Sequence, residues 1–384
     1  MKILYQLNGT QLACLQQASP VWKDYIEEEL WNNVKISKRL TQYWGSYMPK
    51  CFIVTHSTTI ESMKVTPGLI LCGEEKTGNV VVYNRSAFYP LVPIGRKIIP
   101  QRCIESGEAG STVSSLDCNE QFLVTGSTDG AVRLFLLHTG KLLTILCQSS
   151  TTVYSVKLNN YQVYASAGNK LSVHKISSDG GGGAELTHLL SEHTREVLCL
   201  DYGCGKLASG GTDKTIKIYS LGPPGVYKVL HTLVGHKLKV RCVAVHKDLV
   251  VSGSWDRTAR IWDSKTGECI RILEHEKHIR CIAIDSWRIL TGDTEGYVYA
   301  WSLENCLDTS IGPDKLCLRA HNAMDPSVWM KDSQKSVYAV HLEAAVQIQV
   351  AGATGRIVVS DFWDYDCKDF FQLESYFHNE KSSS

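Results

Sequence analysis

The feature that most constrains this chain is a repeated spacing of histidine and glycine. A histidine stands 17 residues before a glycine in four segments: His56–Gly73, His193–Gly210, His236–Gly253 and His275–Gly292. In the last three segments, an acid follows the histidine at +20 and an aromatic at +26: Asp213 and Tyr219, Asp256 and Trp262, Glu295 and Trp301. A fixed period of this kind indicates an array of identical supersecondary units rather than one enzyme domain.

The segment from Gly235 to Asp263 shows what each unit contains. Apolar and polar residues alternate over Val240–Val245, Leu249–Ser252 and Thr258–Trp262, and short turns separate these runs. Alternation with a period of two predicts half-buried strands. Each repeat therefore predicts three strands, to which an outer fourth is added.

The same segment resembles a WD repeat along its full length. In that family the histidine, the Ser or Thr before the glycine, the turn Asp and the aromatic form a hydrogen-bonded staple. The resemblance implies that the staple residues here are His236, Ser252, Asp256 and Trp262, with His193 and Asp213 in the preceding repeat. Because buried polar groups must be partnered, these residues are interpreted as structural rather than as a catalytic His–Asp pair.

Seven copies of the repeat can be aligned on the glycine or its equivalent. These positions are 73, 126, 167, 210, 253, 292 and 352. The copies predict an all-β fold, a seven-bladed WD-repeat β-propeller over residues 51–370, followed by a polar tail over 371–384. We expect Cys51–Thr55 to supply the outer strand that the last blade lacks.

Two segments interrupt the repeats. Ser177–Ala184 is rich in glycine and predicts a flexible surface loop. Leu303–Lys335 is longer than its counterparts; Lys315–Arg319 is predicted as an outer strand and His321–Gln334 as an enlarged loop. Such a loop is either functional or a tolerated insertion, and both alternatives stay open.

Residues 1–50 have apolar residues at helical rather than strand spacing. The sequence ILYQLNGTQLACLQQASPVWKDYIEEELWNNV resembles an F-box, whose opening Leu-Pro-x-Glu turn would precede Met1. In that family a three-helix motif binds the Skp-type adaptor of a cullin ubiquitin ligase. The resemblance implies these adaptor-binding residues: Ile3, Leu4, Leu7, Leu12, Leu15, Trp22, Leu30 and Trp31. The alternative is a helical lead-in that packs against the propeller.

Composition narrows the class of function. The formal net charge is +1, which gives no bulk attraction to nucleic acid or membranes. No apolar run reaches 18 residues and no signal-peptide layout is present, so we expect a soluble protein of the cytoplasm or nucleus. The 14 cysteines include no CxxC pair, and Cys199, Cys242 and Cys281 share one repeat position, as expected of buried thiols. We expect no metal and no cofactor.

A ligand of a propeller lies where the inner strands begin, around the mouth of the channel. The second residue of each inner strand faces this mouth, and in the fifth and sixth repeats it is Arg241 and Arg280. These match the position where phosphodegron-binding F-box/WD proteins place phosphate-binding arginines, and Trp255 is predicted to lie between them. The predicted client-binding residues are Arg241, Arg280, Trp255, Lys239, Tyr154 and Tyr338. The alternative is that the arginines are solvated rim residues.

Together the two resemblances imply a substrate-recognition subunit of a Skp–cullin–F-box ubiquitin ligase. Its partners would be the Skp-type adaptor, a cullin, and a protein client, with phosphorylated clients as one alternative. The chain itself is expected to be no enzyme, because it has no GxSxG, HExxH or phosphate-binding glycine loop. The competing interpretation is a WD-repeat scaffold without a ubiquitin role.

Overall fold

The computed structural model describes residues 50–55, 58–66, 68–84, 99–108, 110–177, 183–222, 226–286, 288–322, 336–342, 346–351 and 356–361. The predicted adaptor-binding residues and the predicted tail over 371–384 lie outside these ranges, as do His56 and Gly352.

The described chain forms seven four-stranded antiparallel sheets, which we call blades 1 to 7 in chain order. Blades 1 to 6 are each built from four consecutive strands, and blade 7 combines three late strands with the first strand of the chain. The strands are, in blade 1, β2 Ile60–Val65, β3 Leu69–Glu74, β4 Asn79–Asn84 and β5 Arg102–Glu105; in blade 2, β6 Val113–Cys118, β7 Phe122–Ser127, β8 Ala131–Leu136 and β9 Leu142–Gln148; in blade 3, β10 Val153–Asn159, β11 Gln162–Ala167, β12 Lys170–Ile176 and β13 Ala184–Leu190; in blade 4, β14 Val197–Gly203, β15 Lys206–Gly211, β16 Thr215–Gly222 and β17 Val226–Val234; in blade 5, β18 Val240–His246, β19 Leu249–Ser254, β20 Thr258–Asp263 and β21 Cys269–Glu274; in blade 6, β22 Ile279–Ile284, β23 Arg288–Asp293, β24 Tyr297–Ser302 and β25 Cys317–Asn322; in blade 7, β26 Val337–Leu342, β27 Val346–Ala351, β28 Arg356–Asp361 and β1 Lys50–Thr55.

The ring closes by joining the two ends of the described chain. Strand β1 pairs antiparallel with β28, with Cys51 opposite Ser360 and Thr55 opposite Arg356. The inner strand of each blade contacts the inner strand of the next, and β26 of blade 7 contacts β2 of blade 1. The sheets therefore form a closed propeller. The prediction that Cys51–Thr55 completes the last blade is confirmed.

The repeated glycine is explained by how closely neighbouring blades pack. A Cβ atom on Gly253 would lie 2.6 Å from Cγ2 of Ile279 in the next blade and 2.7 Å from Sγ of Cys242 in its own. Both distances are far below van der Waals contact, so an alanine here would push the two sheets apart. Cys242 contacts this glycine directly, as a small apolar side chain can.

Charged side chains join the inner strands of blades 1 to 4. The fifth residue of these strands alternates in charge: Lys64, Asp117, Lys157 and Asp201. Lys64 Nζ lies 2.6 Å from Asp117 Oδ1, and Lys157 Nζ lies 2.9 Å from Asp201 Oδ1. Burial acts to raise the pKa of Asp117, but Lys64 and Lys157 outweigh it and hold that pKa below its usual value. These pairs add directional contacts between blades that apolar packing alone does not supply.

The insertion in blade 6 differs from its prediction. Leu303–Leu307 forms a short helix, α1, and Pro313–Lys315 forms a 3-10 turn before β25. The outer strand was predicted over Lys315–Arg319, but Lys315 belongs to the turn, and His321, predicted as loop, lies in the strand. The guanidinium of Arg271 stabilises the segment by donating to the carbonyls of Cys306, Ile311 and Asp308. Among the described residues, no helix has the length and apolar character needed to cross a membrane.

Candidate binding surface

The predicted staple of blade 5 is present as one chain of hydrogen bonds. Trp262 Nε1 donates to Ser252 Oγ at 2.8 Å, and Ser252 is 2.8 Å from Nε2 of His236. His236 Nδ1 donates to Asp256 Oδ2 at 2.9 Å. Burial acts to raise the pKa of Asp256, but hydrogen bonds from His236 and Thr258 hold it well below its usual range. This chain of hydrogen bonds joins strands β19 and β20 to the loop before β18, which carries His236, and to the turn that carries Asp256.

Blade 4 repeats this arrangement. His193 Nδ1 lies 2.8 Å from Asp213 Oδ2, and its Nε2 lies 2.7 Å from Ser209 Oγ. The side chain of His193 is fully buried. Because both histidines have their two ring nitrogens bonded within one blade, neither is positioned to act on a substrate.

Blade 6 departs from the pattern. His275 Nε2 accepts from Thr291, which also accepts from Trp301. The other ring nitrogen, Nδ1, donates to the carbonyl of Leu273 at 3.2 Å rather than to Glu295, the acid at +20. With no carboxylate on this histidine, burial lowers its pKa to about 4.

The two arginines of the predicted client site meet on a third residue. Arg280 Nη2 lies 2.8 Å from Oε1 of Glu61, and Arg241 Nη2 lies 3.6 Å from the same oxygen. Glu61 is the second residue of the inner strand of blade 1, the position that the arginines hold in blades 5 and 6. The side chains are only 19–28% exposed. The two arginines therefore already share one internal carboxylate, that of Glu61.

This ion-pair cluster is partly desolvated. Burial raises the pKa of Glu61, even though Arg280 and Arg241 act in the opposite direction. Burial likewise lowers the pKa of Arg280, whose guanidinium carbon lies 3.5 Å from the centroid of the Tyr338 ring. Because both the carboxylate and the guanidinium are partly desolvated, these ion pairs fix the positions of the side chains more than they add to the free energy of unfolding.

Trp255 contacts different partners from those predicted. The sequence places it between the arginines, whereas the structure puts Nζ of Lys239 3.3 Å from the centroid of its ring. The ring also stacks on His278, with centroids 5.4 Å apart and planes at 19°. His278 Nδ1 donates to the carbonyl of Trp255, which links blades 5 and 6. Burial lowers the pKa of Lys239 and raises that of half-buried Tyr154, which lies close enough to Arg241 to feel its charge.

Removing the internal anion should create an anion site. In Glu61→Gln, Arg241 and Arg280 lose their shared carboxylate and become free to bind inorganic phosphate through charge-assisted bonds. We expect phosphate to raise the melting temperature of this variant by about 2 °C over chloride at equal ionic strength, and to leave the wild type unchanged. Differential scanning fluorimetry measures this. The double variant Glu61→Gln/Arg280→Gln should lose the gain; an equal rise in the wild type would contradict the role given to Glu61.

Similarity to known families agrees with the geometry. The WD domain, G-beta repeat family matches residues 101–135, 184–220 and 227–263. These matches contain the staple histidines of blades 4 and 5. The described chain is a WD-repeat β-propeller. WD-repeat proteins mediate protein interactions, and we therefore treat the surface around the channel mouth as a candidate protein-binding surface.

Several curated proteins are similar to this chain in sequence. Cell division control protein 4 of Saccharomyces cerevisiae is 25% identical over 75% of this chain and 39% of its own length. WD repeat-containing protein pop2 of Schizosaccharomyces pombe is 26% identical over 41% of this chain and 27% of its own length. Autophagy-related protein 16 of Arabidopsis thaliana is 25% identical over 55% of this chain and 41% of its own length. The aligned part of this chain thus spans less than half the length of each of these relatives.

A solved structure supports the fold alone. The computationally designed Ika8 protein superimposes with a TM-score of 0.58 at 18% identity, covering 80% of this chain and 98% of the designed one.

Proposed function

We propose that the chain is the substrate-recognition subunit of a Skp–cullin–F-box ubiquitin ligase and is not itself catalytic. The F-box-like segment would bind the Skp-type adaptor, and through it a cullin. The propeller would present a protein client on the face that carries Arg241, Arg280, Trp255, Lys239, Tyr154 and Tyr338.

The observation that carries this proposal is the order of two modules in one sequence. A 32-residue segment resembling an F-box stands directly ahead of a WD-repeat propeller, and this order is that of the F-box/WD family. The similarity to Cell division control protein 4 extends over three quarters of the chain, which favours a relationship beyond single repeats. On the client side, polar and aromatic groups converge where inner strands begin, on a scaffold fixed by the staples.

Client recognition in this proposal does not depend on phosphate at the arginine pair. Glu61 Oε1 already forms ion pairs with both Arg241 and Arg280. A phosphorylated client would have to displace this carboxylate and separate it from both guanidinium groups. An unmodified client can instead use the neighbouring aromatic and basic side chains.

A WD-repeat scaffold without a ubiquitin role is the second candidate. The names of other relatives point to different processes: Nuclear distribution protein nudF 1 of Talaromyces marneffei is 40% identical over 23% of this chain, and Autophagy-related protein 16 is also similar. The N-terminal segment therefore has to discriminate between the two functions.

Co-purification with the adaptor separates the candidates. We expect the tagged full chain to capture the Skp-type adaptor and a cullin from cells. The triple variant Leu4→Ala/Leu7→Ala/Trp31→Ala should lose both, because the apolar contact with the adaptor is removed. Lys38→Ala is the control in the same segment and should behave as the wild type. Capture of neither protein by the wild type would leave the scaffold function.

A further inference from the structure

A groove lies beside the channel mouth, between the loops that precede the inner strands of blades 5 and 6. It is open to solvent and has a volume of about 490 Å³, within the roughly 300–1,000 Å³ typical of ligand sites. Its lining residues are Lys237, Leu238, Trp255, Asp256, Arg257, Glu276, Lys277 and His278. The arginine pair and Glu61 are not among them, so the groove is distinct from the ion-pair cluster, and Trp255 is the one client-binding residue of the proposal that lines it.

The groove carries an excess of free positive charge. Lys237, Arg257 and Lys277 are all exposed, and none of them forms an ion pair with another described residue. Of the two acids in the lining, Asp256 is bonded inward to His236 and Thr258, and its side chain is only 4% exposed. Glu276 is therefore the single lining carboxylate that opposes the three cations.

The groove also offers apolar contact. Leu238 is a large aliphatic side chain that remains 45% exposed. Trp255 forms the adjoining wall, and its contacts with Lys239 and His278 hold the ring in place. An exposed leucine next to a fixed aromatic is a favourable place to bury one apolar side chain of a ligand.

The arginine pair is less suited to an incoming acid than this groove is. An acid at the pair must displace Glu61 from Arg280 across a 2.8 Å contact, and its arrival brings two carboxylates together. At Lys237, Arg257 and Lys277 an acid displaces only water. Charge complementarity thus favours the groove.

We propose that this groove binds an acidic segment of a partner protein, in which a leucine-sized apolar residue is flanked by carboxylates. The apolar residue packs on Leu238 and Trp255, while the carboxylates pair with Lys237, Arg257 and Lys277. This inference concerns the client surface alone. It holds equally for a ligase receptor and for a scaffold, because nothing in it involves the N-terminal segment.

Fluorescence anisotropy with a labelled peptide, Gly-Glu-Glu-Leu-Glu-Glu-Gly, tests the inference on the full chain. We expect saturable binding that weakens as salt rises, because exposed ion pairs are screened. A peptide with asparagine in place of leucine should bind distinctly less tightly, and one with glutamine in place of every glutamate should not bind. No adaptor is present, so failure here is distinguishable from failure of the proposed function.

Matched variants locate the site. Lys237→Glu/Lys277→Glu should weaken binding by at least about tenfold through like-charge repulsion, and Glu276→Gln should strengthen it. Lys141→Glu, at an exposed position of blade 2, should bind as the wild type. Equal melting temperatures would show that all variants are folded. Absence of saturable binding, equal binding of the asparagine peptide, or loss of binding in Lys141→Glu but not in the groove variant would overturn the inference.

Discussion

Replacing Asp256 with alanine is expected to lower the free energy of unfolding by about 3 kcal/mol. Its carboxylate accepts four hydrogen bonds: from His236 Nδ1, from the backbone of Lys237, and from both the backbone and the hydroxyl of Thr258. The variant leaves these donors unpaired at a place where the acid is 4% exposed. It also frees His236 to rotate and so breaks the chain to Ser252 and Trp262.

Urea unfolding followed by circular dichroism measures this effect. Asp308→Ala is the matched control: Asp308 accepts from the backbone and hydroxyl of Ser310 in an exposed loop, so its loss should change stability little. Equal unfolding midpoints for the two variants would show that the staple does not stabilise blade 5.

The stability of the propeller should fall by about 3 kcal/mol between pH 6.5 and pH 4 because of His275. Burial lowers the pKa of this histidine from 6.5 to about 4, so the fold holds its neutral form. Between these values the unfolded chain binds a proton that the folded chain does not. The contribution of His275 is therefore complete above pH 6.5 and is lost as the pH falls towards 4.

The test is the pH dependence of the unfolding free energy in His275→Gln. The glutamine retains a hydrogen-bonding group but does not titrate, so the slope over this window should become shallower. His138→Gln, at an exposed position, should keep the slope of the wild type. A slope that is unchanged in His275→Gln would contradict the buried, neutral state of this side chain.

The sequence was most informative where residues act within one repeat. The period of 43 residues between Gly210 and Gly253 placed the strands of blade 5, whose observed bounds differ from the predicted ones by at most two residues. The staple could be predicted for the same reason: His236, Ser252 and Asp256 are separated by fixed spacings along one short segment. The closure of the ring by Cys51–Thr55 could be predicted because the last repeat contains only three strands and needs a fourth.

Contacts between distant repeats were not predicted. Glu61 and Arg280 lie 219 residues apart, and no local spacing indicates that their side chains meet. Lys64, Asp117 and Lys157 occupy the same position in successive repeats. Their alternating charges become apparent only when that position is aligned across the blades. The acid at +20 in blade 6, Glu295, matched the spacing, yet His275 bonds to the carbonyl of Leu273 instead.

We propose that one chain joins an adaptor-binding segment to a client-binding propeller. Equilibrium binding of the purified Skp-type adaptor to the full chain, measured by isothermal titration calorimetry, tests this most directly. We predict a saturable one-to-one complex for the wild type and for Lys237→Glu/Lys277→Glu, and no complex for Leu4→Ala/Leu7→Ala/Trp31→Ala. Absence of heat for the wild type, or equal binding by the triple variant, would contradict the claim.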